Sequence, residues 1–201
     1  MPMNKIRPSR RAGNAIAAVM AMVAVVIGGV RYINGTPDDV VLASEYLVKP
    51  WEGEVLKAYL DRIARPPVWT ICAGDTKDVK PGMVETPAGC KARLQRRMTK
   101  EFRPALVKCV PSFNKQPLSW RGMMDSLAWN IGAERACRSG AAGVINTAVA
   151  KGKTPDYIAS CNLATLYNRA GQRVVIGLVN RREMGDATRI GEGELCVSGL
   201  D

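Results

Sequence analysis

The sequence predicts an α+β fold: a small β-containing lobe, then a larger helical lobe, with a cleft between them and a membrane-targeting helix in front. Three observations carry this expectation. An uncharged run from Ala12 to Val30 follows a cluster of basic residues, short apolar pieces alternate with turn signals from about Val55 to Val84, and helix-period segments fill the chain beyond Thr86. At 201 residues the chain is about one domain long.

Lys5, Arg7, Arg10 and Arg11 precede the uncharged run and Arg31 closes it. Nineteen residues at helical rise span about 29 Å, the depth of a bilayer's hydrocarbon core, and the basic flank keeps that end in the cytoplasm. A cleaved signal peptide, a permanent anchor and a buried helix of a soluble domain all compete for this segment. Gly28-Gly29-Val30-Arg31 is a poor cleavage site, which favours an uncleaved segment exported by the Sec pathway. The run is mostly Ala, Val, Met and Gly, with no Leu or Phe, so it favours the membrane only weakly and is able to leave it. Residues 1–31 are thus read as a signal-anchor or releasable segment and 32–201 as the functional domain.

Thr36-Pro37-Asp38-Asp39 reads as a helix start, with Thr36 as N-cap, Pro37 at the first turn and two acids at the positive end of the dipole. Val40, Val41, Ala43, Leu47 and Val48 give that helix its apolar face, Pro50 must kink or unwind it, and Gly53 ends it. Leu56–Leu60 and Val68–Cys72 are extended pieces separated by turn residues, which predicts a small antiparallel sheet. Thr86-Pro87 then opens a helix through Leu94 to Phe102, followed by helices over Ser119–Asn130, Ala141–Ala150, Thr154–Leu166 and near Val179–Thr188, and a Gly-broken tail.

Composition excludes much. There is no histidine, which removes Ser-His-Asp and Cys-His catalysis and His-ligated zinc, so acid–base chemistry falls to carboxylates, Lys, Tyr or Cys. No metal and no cofactor is expected. Beyond residue 31 the chain carries 24 Lys+Arg against 18 Asp+Glu, without the interleaved aromatics of a nucleic-acid surface; a carboxylate-rich cell-envelope substrate explains the basic balance better. The six cysteines lie no closer than 18 residues apart, which fits disulfides of an exported chain. Of 15 pairings, neighbour with neighbour is the expectation: Cys72–Cys90, Cys109–Cys137 and Cys161–Cys196.

The chemistry concentrates at Glu52, Asp61 and Thr70. Glu52 ends a helix beside a glycine, Asp61 ends the first extended piece, and Thr70 begins the piece that pairs with it. One acid to protonate a leaving oxygen, and a carboxylate with a hydroxyl to hold water on the opposite face, is the set that glycosidic cleavage needs. Glu54 is the fallback acid.

These residues lie in E-G-x-x-L-x-A-Y-x-D (52–61) followed by T-I-x-x-G-x-T (70–76), which resembles the active-site segment of the phage-type lysozymes, glycoside hydrolase family 24. Thr86 to Leu94, Ser126-Leu127-Ala128-Trp129-Asn130-Ile131-Gly132, Asn168-Arg169-Ala170-Gly171, Gly177-Leu178-Val179 and Arg181-Arg182-Glu183 resemble later segments of that family, in the same order. The resemblance implies a lysozyme-like fold and a monomeric endolysin that hydrolyses the β-1,4 bond between N-acetylmuramic acid and N-acetylglucosamine in peptidoglycan, with inversion. It implies Glu52 as general acid, Asp61 and Thr70 as the pair that positions water, Arg169 as an arginine near Glu52 across the cleft, and Asn130 in support. The amino-terminal segment resembles a signal-arrest-release segment, held in the host inner membrane and then released to the periplasm. Three departures stand out: nine residues separate Asp61 from Thr70 where most members have six, Asp75 stands where many have histidine, and Pro50 interrupts the helix before Glu52. The rival reading is an inert, envelope-anchored peptidoglycan-binding protein on the same scaffold.

Overall fold

The computed structural model describes residues 5–63 and 65–200; Ala64, within the segment inserted between Asp61 and Thr70, lies outside them. Helix α1 (Arg10–Ala21) starts at Ser9, whose hydroxyl accepts the Ala12 N–H at 3.2 Å. Its stripe of Ala12, Ala15 and Val19 is buried against Ile33, Val41, Leu42, Leu47 and Leu195. The uncharged run is therefore not one long helix. Beyond Ala21 it turns extended and forms β1 (Val25–Ile27) and β2 (Val30–Ile33), joined through Gly28 and Gly29, both at positive φ. β-Branched residues flanking a two-glycine turn favour this hairpin over continued helix. No helix among the described residues is long and apolar enough to cross a membrane. Strand β2 runs across position 31, so the chain has no break there.

The expected cap at Thr36 is also absent: Thr36 and Pro37 form β3 (Thr36–Pro37), which completes an antiparallel sheet of order β1-β2-β3. Helix α2 (Asp38–Ala43) follows, with both acids buried. Arg121 holds Asp38 at 3.0 Å and Asp39 at 2.8 Å, and Arg103 holds Asp39 at 3.0 Å. A π turn over Ser44–Val48 and the short α3 (Lys49–Glu52) complete this segment. The wider turn accommodates Pro50, which has no N–H to give a regular helix.

Strands β4 (Val55–Asp61) and β5 (Val68–Cys72) form the expected hairpin. Helix α4 (Pro87–Arg97) is capped by Thr86, whose hydroxyl accepts the Gly89 N–H at 3.0 Å. A second π turn, over Met98–Phe102, leads into α5 (Arg103–Cys109). Helix α6 (Leu118–Ile131) is buried over ten successive residues, Ser119 to Ala128, and forms the centre of the larger lobe. Helices α7 (Ala133–Cys137), α8 (Gly140–Ala150) and α9 (Tyr157–Ala164) pack beside it. A small hairpin, β6 (Arg169–Ala170) and β7 (Arg173–Val174), precedes α10 (Ile176–Arg182) and α11 (Glu192–Val197). The tail expected to be irregular thus ends in a helix. The disulfides are Cys72–Cys90, Cys109–Cys137 and Cys161–Cys196, neighbour with neighbour.

Asp125 of α6 is fully buried, and neither of its oxygens has a hydrogen-bond partner among the described residues. Burial pushes its carboxyl well above the usual range; Asp39 and Asp38 add to this, while Arg103 and Arg121 oppose it. A raised native value means the folded state binds the proton more tightly than the unfolded chain. The stabilisation this gives is complete below about pH 4 and is lost as pH rises through the native value. Asp125→Asn, which cannot ionise, is expected to gain stability over the parent as pH rises above about 4, by up to ~1.4 kcal/mol per pH unit until the native value is passed. Urea unfolding at several pH values measures the difference, and parallel curves for the two proteins would refute the assignment.

Candidate active site

Glu52 is the last residue of α3, and Gly53, at φ 72°, turns the chain away into β4. Its neighbour Trp51 fixes that helix end: the indole N–H donates to the Ile190 carbonyl at 2.8 Å, and the Arg189 guanidinium lies over its ring at 3.9 Å from the centroid. The Glu52 side chain keeps 26% of its surface open to solvent. It is thus held from one side and reachable from the other.

The holding side is a closed ring of side chains. Arg181 donates through Nη1 to Glu52 Oε1 at 2.5 Å and through Nε to Glu192 Oε1 at 3.3 Å. The other Glu192 oxygen accepts from Arg182 Nη1, and Arg182 Nη2 donates to Asn130 Oδ1. Asn130 Nδ2 returns to Glu52 Oε1 at 3.4 Å and closes the ring. Ser126 adds a hydrogen bond to Glu192 at 2.7 Å. Glu192 and Arg182 are completely buried. Burial of an ion costs several kcal/mol unless opposite charges and hydrogen bonds surround it, and here each charge has an opposite on its chain neighbour. Desolvation pulls Arg182 below the usual guanidinium range, while Glu192 opposes that shift.

The hairpin holds the other two candidates. Thr70 pairs with Tyr59, and Asp61 with Val68, so Asp61 and Thr70 are diagonal neighbours on one face of the hairpin, about 7–8 Å apart. A register irregularity between Val55 and Tyr59 bends β4 on its way from Glu52 to Asp61. Asp61 Oδ1 accepts the Ile63 N–H at 2.9 Å, which ties the carboxylate to the inserted loop. Thr70 is buried and its hydroxyl donates to the Val68 carbonyl at 3.3 Å. Behind the hairpin, Asp75 is clamped by Arg93 at 2.8 Å and Arg97 at 2.6 Å, which fastens the small sheet to α4.

The structure brings Asn130 to Glu52 but not Arg169. Arg169 lies in the β6–β7 hairpin, where its guanidinium donates to the Gln172 carbonyl at 3.1 Å and helps line a separate cavity of about 560 Å³ with Ile131, Arg135 and Tyr167. The arginine on the glutamate is Arg181, one helix further on. The hairpin turn carries Arg169 outward, whereas α10 directs Arg181 and Arg182 inward. Ser126 opens the family-like segment 126–132 without being singled out there, and Glu192 escapes sequence reasoning; its only local signal is Gly191-x-x-Glu194, where the Glu194 carboxylate accepts the Gly191 N–H at 3.0 Å and marks a helix start. Among the described residues there is no cluster of three or more His, Cys, Asp or Glu placed to hold a metal.

The profile of the phage lysozyme family matches residues 49–185. Two curated relatives, the SAR-endolysins of bacteriophages PS119 and PS34, are 29% and 30% identical over 152 residues, or 74% of this chain and 77% of each relative. Among solved structures, the active form of the P1 phage endolysin Lyz is similar in fold, with a TM-score of 0.58 at 21% identity over 98% of both chains.

Arg182→Met is expected to cost about 3–5 kcal/mol in urea unfolding, because it leaves Glu192 charged and half-partnered in the interior. Asn130→Ala, at an exposed edge of the same ring, should cost less than about 1 kcal/mol. Equal losses in the two variants would contradict the burial argument.

Proposed function

The chain belongs to the phage lysozyme family, and we propose that it is a phage endolysin whose general acid is Glu52. As a glycoside hydrolase of this family it cleaves the β-1,4 bond between N-acetylmuramic acid and N-acetylglucosamine in peptidoglycan, for host lysis. The observation that carries the assignment is the Glu52 carboxyl itself: held on one oxygen by Arg181 and Asn130, yet open to solvent.

The proton of Glu52 passes to the glycosidic oxygen as the bond to the anomeric carbon breaks. Water attacks that carbon from the opposite face and gives its proton to Asp61, with Thr70 orienting it, so the sugar leaves with inverted configuration. The diagonal placement of Asp61 and Thr70 on one hairpin face supports this pairing.

Export follows the same reading. The segment 12–30 first spans the host inner membrane, facing the periplasm beyond Arg31, and is later released to fold as α1 and the β1–β2 hairpin. The names of the PS119 and PS34 relatives support this, as does the small-residue stripe by which α1 packs on the body. No cysteine precedes Cys72, so release proceeds by refolding and not by disulfide exchange. Depolarising the membrane of cells that express the full chain is expected to move it from the membrane to the soluble fraction; retention in the membrane would refute release.

Glu52→Gln in the full chain is expected to lower turbidity loss of chloroform-treated Gram-negative cells by about 10²- to 10⁴-fold, with the thermal midpoint nearly unchanged. Equal lysis by both proteins would reject Glu52 as the acid.

A further inference from the structure

The candidate site is divided between two parts of the chain. Asp61 and Thr70 stand on the β4–β5 hairpin, whereas Glu52 is held from Asn130 on α6. The separation of the two sides therefore depends on what joins the hairpin to α6. The Cys72–Cys90 disulfide ties the end of β5 to α4. Arg97, the last residue of α4, continues that link to α6.

Toward the hairpin, Arg97 Nη1 donates to Asp75 Oδ1 at 2.6 Å. Asp75 is 2% exposed, and its backbone pairs with Ile71, the residue after Thr70, through two hydrogen bonds of 2.9 Å. The other guanidinium nitrogens, Nε and Nη2, donate to Glu101 Oε2 at 3.2 Å each. Glu101 also accepts from the Lys77 ammonium at 2.5 Å, and the Lys77 N–H returns to Asp75 Oδ1 at 3.0 Å. With all three nitrogens bonded, the rigid fork of Arg97 has a fixed plane. Its central carbon lies 5.4 Å from the centre of the Trp129 ring and 5.6 Å from that of Phe102, within the range of cation–π attraction. Trp129 precedes Asn130 on α6 and packs against a buried cluster that includes Val48, just before α3, and Ala73, two residues before Asp75. Arg93 makes the contrast. It holds the other Asp75 oxygen at 2.8 Å, but its further partners, the Lys77 carbonyl at 2.7 Å and Glu85 at 3.8 Å, both precede α4 in the chain.

We propose that Arg97 is a positioning residue that sets the separation of the two sides of the site. Through Asp75 it places the strand that bears Thr70, and through Trp129 it places the turn of α6 that bears Asn130. The proposal rests on the reading of Glu52 as the acid with Asp61 and Thr70 opposite it, and adds the residue that keeps the two sides in register. An inverting reaction needs room for one water between carboxylate and sugar, so a shift of about 1 Å on either side misaligns the attack. Arg97 acts on Glu52 and Thr70 only through these neighbours.

The test is a set of variants of the full chain, released and purified, with kcat and KM measured on peptidoglycan well below each thermal midpoint. Arg97→Met is expected to lower kcat roughly 10- to 100-fold with KM little changed, the order of loss that a misplacement of about 1 Å brings. Arg97→Lys, which can still pair with Asp75 but lacks the planar fork, should recover most of the midpoint and only part of kcat. Arg93→Met, which loosens Asp75 without reaching α6, should lower the midpoint by a similar amount and kcat far less. Arg96→Ala, at an exposed position of the same helix, should leave both as they are. Trp129→Leu should lower kcat, and its combination with Arg97→Met should fall no further than the worse single variant, because both break one line of contacts. Equal losses of kcat in Arg93→Met and Arg97→Met, full recovery of kcat by lysine, or full additivity with Trp129→Leu overturns the proposal. Should Arg97→Met fail to fold, Arg97→Lys and Trp129→Leu decide the same question. Glu52→Gln in the same series separates the two readings. If it stays fully active, the acid assignment falls and the positioning role with it; if it is inactive while Arg97→Met keeps full kcat, the acid stands and the positioning role falls.

Discussion

The Glu192 carboxylate, buried between two arginines, is the contact on which the site depends. Placed alone in the interior, Arg181 and Arg182 would repel each other and each would bear the full cost of desolvation. Glu192 joins them, and Ser126 fixes one of its oxygens. Arg181 then donates through Nη1 to Glu52 and Arg182 through Nη2 to Asn130, while Arg181 Nη2 has no partner among the described residues. The order of charges around the ring alternates, with Glu192 between the two buried arginines and Glu52 at the wet edge. A general acid needs this arrangement: a fixed direction for the carboxyl, with no wall between it and the substrate.

Under the proposed release, the amino-terminal segment has to satisfy two solvents with one sequence. Ala12, Ala15 and Val19 are small enough to let α1 lie close on α2 and α11, and the same small residues make a weak membrane span. The rest of the run is less well accommodated. Val23, Val25, Val26 and Ile27 stay largely exposed, Val23 almost completely. A soluble domain has little reason to carry such a strip. The proposed passage through the membrane accounts for it, because only one stripe of the segment is buried in the groove on the body.

Much of this was legible from sequence because the signals are local. The Thr86-Pro87 cap, the turn residues around the β4–β5 hairpin, Gly53 after the helix end and the cysteine spacing all act within a few residues, and each appears where expected. Where the folded chain departs from the local signals, packing at long range is the cause. Thr36 was read as a cap from its neighbours alone, but β2 recruits it into a strand. The Ala12–Val30 run has membrane length, yet the Gly28-Gly29 turn and the groove on the body divide it. The family resemblance implies Arg169 near Glu52 across the cleft, whereas Arg181 is the arginine that reaches it because α10 turns that face inward. Glu192 carries no motif, and its role exists only once α6, α10 and α11 are packed together.

Helix α6 explains why a second charged cluster sits so near the first. Ser126 and Asn130, one turn apart, face the Glu52 ring; Arg121 and Asp125, also one turn apart, face α2 and α5, about 140° away around the helix. The second cluster sets three acids against three arginines, and the contacts are uneven. Asp38, Asp39 and Asp125 meet Arg103 and Arg121, and Arg31 approaches only the Asp38 end, at 3.8 Å. Burial and its acidic neighbours push the Asp125 carboxyl toward its neutral form there, against the two nearby arginines. One helix thus buries charge in two ways. On one face Glu192 joins two arginines beside Glu52; on the other a carboxyl favoured in its neutral form lies among two acids and two arginines.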